Sequence, residues 1–273
     1  MSRLAVRKTY KLFVGGKFPR SESGRSYFVQ ESNVALGSRK DVRDAVLAAR
    51  AAVKGWSGAT AYNRGQILYR IAEMLEGRRD QFVALGETPS DVDAAIDRWV
   101  WYAGWSDKIT QVYGGANPVA GPYFNLSAPE PTGVVGIIAP PESALLGLVG
   151  VVAPAIVTGN TVVVLAAEER PLAAVTLAEV LATSDLPGGV VNILTGKVAE
   201  MAPWLAAHMD VNAIDLTGVA DPSLARELEA AAAENLKRVL RPPATAVDWS
   251  RDPGLGRMTA FLETKTVWHP KGT

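Results

Sequence analysis

The sequence contains no cysteine and only two histidines among its 273 residues. The lack of cysteine excludes disulfide bonds, thiolate metal sites and every mechanism that uses a cysteine nucleophile. The two histidines, His208 and His269, stand too far apart in the sequence to indicate a ligand pair, and no Ser-His-Asp arrangement can be recognised. We therefore predict neither catalytic residues nor a metal site.

Net charge is also lacking, since 28 Lys and Arg balance 28 Asp and Glu. A neutral chain offers no basic face for nucleic acid or for a membrane surface. The first residues, MSRLAVRKTYKLF, lack the uninterrupted apolar stretch of a secretion signal, which favours a cytoplasmic protein. The longest apolar tract, residues 144–167, is divided by Pro154 and by Gly159-Asn160, and this division predicts a buried helix and a buried strand.

The N-terminal region is predicted to begin with a hairpin-like entry formed by the β-rich runs LFVGGKF and RSYFVQ. Ser38, three residues before Asp41, predicts the N-cap of a first amphipathic helix. Apolar residues at helical spacing predict a second helix through Ile67, Ile71 and Leu75, and a third that begins at Ser90. Core or interface packing, with no ligand role, is expected for the aromatic residues of the third helix: Trp99, Trp101, Tyr102 and Trp105.

The C-terminal half alternates between apolar runs of strand type and helical segments. The runs are GVVGII, TVVVLA, VVNILT and NAIDLT, and a helix near 221–235 leads to a fifth run, LKRVL. This alternation predicts an α/β fold with a doubly wound, mainly parallel five-stranded Rossmann-like sheet. Such sheets bind ligands at the carboxyl ends of their strands, but the G-x-G-x-x-G dinucleotide fingerprint is missing here.

Several ordered blocks resemble the aldehyde dehydrogenase superfamily. LFVGGKF is similar to its amino-terminal hairpin, and GVVGIIAP, APAIVTGNTVVV, LPGGVVNILTG and LTG match the strands and turns of its cofactor-binding domain. GLGR followed by FLETKTVW resembles its carboxyl-terminal oligomerisation strand. The resemblance implies a cofactor-binding-like domain over 1–110 and 133–242, an oligomerisation β element from 111–132 and 258–273, and a connector at 243–257.

Departures from the family pattern imply a loss of activity. The family's Pro-Trp-Asn, whose Asn amide holds the oxyanion, is Pro140-Pro141-Glu142 in this chain, and its general-base segment Glu-Leu-Gly-Gly is Leu240-Arg241-Pro242-Pro243. From there the chain reaches GLGR within a dozen residues, so the segment that carries the family's nucleophilic cysteine is missing. The resemblance is closest to the shortened, non-catalytic second unit of the family 16 aldehyde dehydrogenases.

Only vestigial cofactor-binding positions remain. The family's Lys-Pro-Ala-Glu, which holds the adenosine ribose, is Leu165-Ala166-Ala167-Glu168, and the Ser after its Phe-Thr-Gly is Val219. Glu168 could hold a ribose, but the favoured interpretation is a carboxylate in a solvated polar turn. Gly196 and Gly218 could admit a phosphate, yet backbone geometry alone also accounts for glycine at strand-to-helix turns. We expect no bound cofactor, or at most weak binding of NAD or NADP.

The expected partner is a full-length aldehyde dehydrogenase subunit that contacts the strands within 111–132 and 258–268. In the family these strands extend the catalytic-domain sheet of a neighbouring subunit, and unpaired edges of this kind invite aggregation. An obligate interface above about 2,000 Å² is expected. Truncation after Arg257 is predicted to abolish the association while the sheet domain stays folded. A sensor that binds NAD or NADP without turnover is the alternative function.

Overall fold

The N-terminal part of the fold is a small strand group followed by five helices. The computed structural model describes residue 4 and residues 6–272, so residues 1–3, 5 and 273 of the predicted domain limits lie outside the described residues. The elements are β1 (Thr9–Tyr10), β2 (Ser26–Val29), β3 (Ser32–Ala35), α1 (Arg39–Gly58), α2 (Ala61–Glu76), α3 (Arg79–Ala84), α4 (Pro89–Trp105) and α5 (Ile109–Tyr113).

The two predicted β-rich runs do not pair with each other. Val14 pairs with Lys17 around Gly15-Gly16, and Phe13 forms a bridge to Ile193 at the edge of the large sheet. RSYFVQ forms β2, which pairs with β3 through a two-residue turn. The structure therefore replaces the single predicted entry hairpin by two separate turns.

The helix predictions hold, with one corrected boundary. Ser38 caps α1, and the Asp41 carboxylate accepts hydrogen bonds from both the backbone amide (2.8 Å) and the hydroxyl (2.9 Å) of Ser38. The third predicted helix begins at Pro89, one residue earlier than expected, because the Thr88 hydroxyl accepts the amide of Asp91 and Pro89 occupies the first turn. Trp99 and Tyr102 on this helix are fully buried, as the packing prediction requires.

The C-terminal half forms the predicted five-stranded sheet. Its elements are β6 (Val134–Ile138), α6 (Leu146–Val157), β7 (Thr161–Leu165), α7 (Pro171–Leu181), β8 (Val191–Leu194), α8 (Val198–Ala207), β9 (Ala213–Asp215), α9 (Pro222–Ala233) and β10 (Arg238–Leu240). All neighbouring strands are parallel, in the order β10-β9-β6-β7-β8. The apolar tract gives α6 and β7, every residue of which is buried. Among the described residues, no helix has the length and apolarity needed to cross a bilayer.

Two hydrophobic cores cover the two faces of this sheet. Helices α2, α4, α6 and α7 pack on one face with Val135, Ile137 and Ala213 pointing toward them. Helices α1, α8 and α9 pack on the other face against Ile138, Val163 and Ile214. Side chains of successive strand residues alternate between the faces, and this alternation gives the sheet its two buried sides.

A separate three-stranded antiparallel sheet is built from β4 (Gly115–Asn117), β5 (Tyr123–Pro131) and β11 (Leu262–Pro270). β11 pairs with β5 along its whole length, from Leu262 opposite Pro131 to Pro270 opposite Tyr123. Thr266 and Ser127 share a hydrogen bond of 2.8 Å across the pair. A short helix, α10 (Gly256–Thr259), precedes β11.

The predicted connector is not a free linker. Residues 243–255 have no helix or strand, but Trp249 is buried against α6 and lies in the same core as α4. A Cβ atom on Gly150 would lie 2.7 Å from the Trp249 ring, so only glycine lets the indole approach the helix this closely. The connector is therefore part of the folded domain.

Candidate functional site

The strand order places a ligand crevice at the carboxyl ends of β6 and β9. The chain moves from β6 to β7 and β8 on one side, while β9 and β10 lie on the other, so these two strands flank the switch point of the sheet. The backbones that follow them are in close contact. The Gly218 amide donates to the Ile138 carbonyl at 3.1 Å, and a Cβ atom on Gly218 would lie 2.1 Å from the Ala139 oxygen. The backbone therefore closes the floor of the crevice.

Helix α9 begins beside this crevice and has a carboxylate, that of Asp221, at its N-terminus. Asp221 caps α9, and its carboxylate accepts the Ser223 amide at 2.8 Å. Helix N-termini attract phosphate groups because their amides are unpaired and the helix dipole is positive there. The Asp221 carboxylate supplies a negative charge and takes up one of these amides. Val219, just before the helix, is buried and offers no side-chain donor.

Glu142 faces the opposite side of the crevice. Its Oε1 atom accepts a hydrogen bond from the Trp249 indole at 3.1 Å. Trp249 belongs to the predicted connector and lies 107 residues from Glu142 in the sequence. The connector therefore reaches the carboxyl edge of the sheet. An ionised carboxylate only accepts hydrogen bonds, so the Glu142 side chain offers no hydrogen-bond donor at the carboxyl edge of the sheet.

Next to this contact, the buried carboxylate of Asp215 forms an ion pair with the partly buried Arg257. The Asp215 carboxylate, at the end of β9, is 3.1 Å from the Arg257 guanidinium and also accepts the Thr217 amide at 2.8 Å. The Arg257 guanidinium lies 4.9 Å from the Trp249 ring centre, in a cation–π contact. Burial raises the pKa of Asp215, and the charge of Arg257 acts in the opposite direction. The described residues thus connect the connector, the sheet and α10 in one cluster.

This cluster was missed by sequence reasoning, although a signal was present. NAIDLT is apolar except at Asn212, Asp215 and Thr217, and a carboxylate within a buried strand requires a charged partner. The identity of that partner could not be read from the sequence. Arg257 is 42 residues further along the chain, beyond the Pro-rich segment.

Glu168 lies at the carboxyl end of β7 and is already paired. Its carboxylate forms an ion pair with Lys197, and the second oxygen accepts the amide of Val198 at the start of α8. The hydrogen bond that Lys197 donates to the Glu168 carboxylate raises the pKa of Lys197. The Tyr27 hydroxyl donates to the Glu168 carbonyl at 3.1 Å. Glu168 therefore connects three parts of the chain.

The backbone geometry explains why glycine occurs at both candidate positions, 196 and 218. Gly196 has a φ of 136°, a conformation that side-chain-bearing residues rarely adopt, and a Cβ atom there would lie 2.9 Å from the Gly37 amide nitrogen. Glycine is required at position 218 because any side chain there would collide with the backbone of Ala139. Among the described residues, no hydrogen bond brings Glu168, Gly196 and Gly218 together with Glu142.

Two of the surface depressions in the described part of the chain bear on where a ligand would lie. One, of about 670 Å³, lies at the carboxyl edge and is lined by Glu142, Gly218, Arg226 and the Pro242-Pro243 segment. A larger groove of about 950 Å³ lies between α2 and α4, lined by Tyr62, Tyr69 and Lys108 among others. We place the candidate site at the smaller depression, because strand topology directs ligands to the carboxyl edge.

Comparison with known proteins identifies the fold and the family. The model of the aldehyde dehydrogenase family matches residues 30–241. The chain belongs to the aldehyde dehydrogenase family. Human retinal dehydrogenase 2 is 34% identical over 252 residues, which cover 85% of this chain and 48% of that protein. Cytosolic aldehyde dehydrogenase 1 of Elephantulus edwardii is 33% identical over 249 residues, covering 84% and 49% of the two chains.

Solved structures of other proteins have the same fold as this chain. An aldehyde dehydrogenase of Bacillus cereus, determined as an NAD⁺ complex, superimposes with a TM-score of 0.80 at 27% identity, over 85% of this chain and 50% of that one. HpcC from Thermus thermophilus gives a TM-score of 0.78 at 30% identity, over 85% of this chain and 47% of that one. The chain spans about half the length of the curated relatives that it matches. The α/β architecture predicted from the sequence is thereby confirmed.

The carboxyl edge of the sheet is joined to the connector by the hydrogen bond that the Trp249 indole donates to Glu142. At the same edge, β10 ends at Leu240 and the chain continues into Pro242-Pro243.

Proposed function

We propose that this chain is a catalytically inactive aldehyde dehydrogenase-like subunit that assembles with an intact aldehyde dehydrogenase as a structural or regulatory partner. The sequence has no cysteine to form the thioester through which aldehyde oxidation passes. Glu142 supplies a carboxylate where an oxyanion requires a donor. Pro242 and Pro243 cannot act as a general base. All three departures support a role other than catalysis.

The observation that carries the assembly proposal is the small sheet of β4, β5 and β11. β5 is the central strand, so each outer strand has one edge without a partner strand in the described part of the chain. Large apolar side chains are exposed on this sheet: Tyr123, Phe124, Leu126 and Trp268. Unpaired edges and exposed apolar patches are rare on monomeric proteins and mark interaction surfaces.

An intact dehydrogenase is the partner that this surface favours. Family resemblance implies that strands of this kind extend the catalytic-domain sheet of a neighbouring subunit. The chain passes from β10 to β11 in about twenty residues, and its described part contains no such sheet to offer in return. Within the family, we assign it to the shortened, non-catalytic type of unit known from family 16. A large interface, above about 2,000 Å², follows from an obligate role.

Affinity purification from the native source, followed by mass spectrometry, tests this proposal. We expect co-purification of an aldehyde dehydrogenase whose sequence contains the catalytic cysteine. The two chains would then be co-expressed and their complex weighed by light scattering after size-exclusion chromatography. A chain that elutes alone, or only with copies of itself, would contradict the assignment.

The second candidate is a module that senses NAD or NADP without turnover. The doubly wound sheet and Glu168 favour it, whereas the Asp221 cap, Val219 and the pairing of Glu168 with Lys197 weigh against it. Loss of two buried polar contacts would weaken binding by about 1–3 kcal/mol each. Calorimetric titration with NAD and NADP separates the candidates, and a micromolar dissociation constant would favour the sensor.

A further inference from the structure

Exposed apolar side chains continue beyond the small sheet onto the neighbouring helices. Helix α5 leads almost directly into β4, and both Val112 and Tyr113 on α5 are exposed. Val100 on α4 and the two tyrosines of α2, Tyr62 and Tyr69, are exposed as well. Exposed apolar residues that follow one another along neighbouring elements are uncommon on monomeric proteins and mark interaction surfaces.

The helical part of this series borders the larger depression, the groove of about 950 Å³ between α2 and α4. Three large apolar or aromatic side chains and three small residues line it: Tyr62, Tyr69, Val100, Gly65, Ala103 and Gly104. A Cβ atom on Gly65 would lie 3.0 Å from the Ala103 carbonyl oxygen, so the two helices meet closely at this point. The small residues leave space between the larger ones, and this space suits apolar side chains of another molecule.

Lys108 connects the groove to α5. It lines the groove, directly precedes α5, and its carbonyl oxygen accepts the Val112 amide at 3.1 Å. Residues four apart in a helical turn lie on the same side, so Val112 lies on the side of α5 that carries Lys108. α5 also packs against β5, and β4 begins at Gly115, two residues after α5 ends. The groove, α5 and the small sheet are therefore neighbouring parts of one surface.

The small sheet alone is too small for an obligate interface. Its two long strands have nine residues each, so a face of three strands measures at most about 30 Å by 15 Å, or about 450 Å². An interface of standard size uses about 800 Å² on each partner, and an obligate one uses more. The β11 side of the sheet carries the ion pairs Arg238–Glu263 (2.6 Å) and Lys265–Glu130 (3.1 Å). The apolar continuation lies on the other side, over α5.

We propose that the partner-binding surface extends from the small sheet over α5 into the groove between α2 and α4, where apolar side chains of the same dehydrogenase subunit insert. The inference rests on the proposed function, because it names a second contact area for the partner proposed there. The two areas have different roles. The small sheet offers free strand edges, whereas the groove offers a recess in which buried apolar anchors contribute most of the binding energy.

Charge substitutions at exposed helix positions test the groove without disturbing the core. Val100→Glu and Val112→Glu each place a carboxylate on the proposed surface. Leu47→Glu is the matched control, because Leu47 is an exposed apolar residue of α1, which packs on the opposite face of the large sheet. The probe is the aldehyde dehydrogenase subunit recovered in the affinity purification described above. Its dissociation constant for each variant is measured by surface plasmon resonance, and circular dichroism checks the fold.

We expect Val100→Glu and Val112→Glu each to weaken binding by roughly tenfold or more, because a carboxylate would be buried without a partner at a close-packed contact. Leu47→Glu should leave the dissociation constant unchanged. If Val100→Glu fails to fold, Tyr69→Ala replaces it and should weaken binding to a similar extent, since it removes an aromatic side chain from the rim of the groove.

Unchanged binding of both variants, together with loss of the complex on truncation after Leu262, would overturn the groove assignment and leave the proposed function standing. If the wild-type chain binds no dehydrogenase subunit, the proposed function and this inference fail together. A homodimer of this chain that Val100→Glu dissociates would assign the groove to a second copy, and this result would also overturn the inference.

Discussion

At the scale of single residues, a few positions are fixed by contacts that allow no substitute. Gly218 touches the backbone that follows β6, and Asp215 ends β9 with its charge buried against Arg257. These residues hold the switch-point region together whether or not a ligand binds there. Their identity therefore indicates architecture and is a poor guide to cofactor binding.

Gly218→Ala is expected to destabilise the protein, because the added Cβ atom would lie 2.1 Å from the Ala139 oxygen. Overpacking of this kind costs about 1–3 kcal/mol in the free energy of unfolding. Gly55→Ala is the matched control, since Gly55 lies within α1 with open space around it. It should stabilise by about 0.5–1 kcal/mol. Urea denaturation of the two variants measures both changes in the free energy of unfolding.

His208 should make stability depend on pH. Its Nδ1 atom accepts the Asp210 amide at 3.2 Å, and burial lowers the pKa of His208 below its ordinary 6.5. The unfolded chain therefore binds a proton near pH 6.5 that the folded chain binds only at lower pH. The contribution is fully present above pH 6.5 and decreases as the pH falls toward the folded pKa.

Urea unfolding across the range of about pH 5 to 8 measures this dependence. His208→Asn keeps a hydrogen-bond acceptor and removes the titration, so wild type should lose stability relative to this variant as the pH falls. The effect should be small, because the side chain is only partly buried. A wild-type profile that runs parallel to that of His208→Asn would contradict the assignment.

At the scale of elements, β11 and its approach have two different roles. Met258 and Phe261 are fully buried, and the Phe261 carbonyl accepts the Asn160 side chain at 2.9 Å. These residues belong to the core. A cut after Arg257 would remove them together with the strand, so it cannot separate folding from association. The strand beyond Leu262 is largely exposed, its backbone pairs with β5, and Glu263 adds an exposed ion pair with Arg238.

Truncation after Leu262 is therefore expected to leave the large sheet folded and to abolish association with the dehydrogenase partner. The control is truncation after Pro270, which keeps β11 intact. Circular dichroism checks the fold, and light scattering of the co-expressed chains measures the mass of the complex. A complex that persists without β11 would show that another surface holds the partner.

At the scale of the whole molecule, the chain spans about half the length of the aldehyde dehydrogenases that it matches. If the proposed function is right, the purified chain should show no NAD- or NADP-dependent oxidation of aliphatic or aromatic aldehydes, because its sequence contains no cysteine that could act as the nucleophile. Formation of reduced cofactor is followed by absorbance, with an intact aldehyde dehydrogenase as the positive control. Activity above that of a mock purification would refute this expectation.

Local sequence patterns were sufficient to predict those elements whose structure depends on their own residues. Ser38 with Asp41 predicted the start of α1, and continuous apolar runs predicted the four fully buried strands β6, β7, β8 and β9, since burial on both faces requires such runs. The fifth strand, β10, lies at the edge of the sheet and is only partly buried. The hairpin between β2 and β3 was missed. Its turn residues Gln30 and Glu31 both have positive φ, a conformation for which sequence patterns expect Asn or Gly.

The sequence alone determined the α/β class, the order of the elements and the lack of a cysteine nucleophile, because composition and periodicity are properties of the chain itself. Only the tertiary structure decided that the connector reaches the carboxyl edge, that Trp249 contacts Glu142, and that Asp215 pairs with Arg257. These contacts join segments 42 residues or more apart. No local pattern encodes such a pairing, since it exists only after the sheet has brought both segments to one edge.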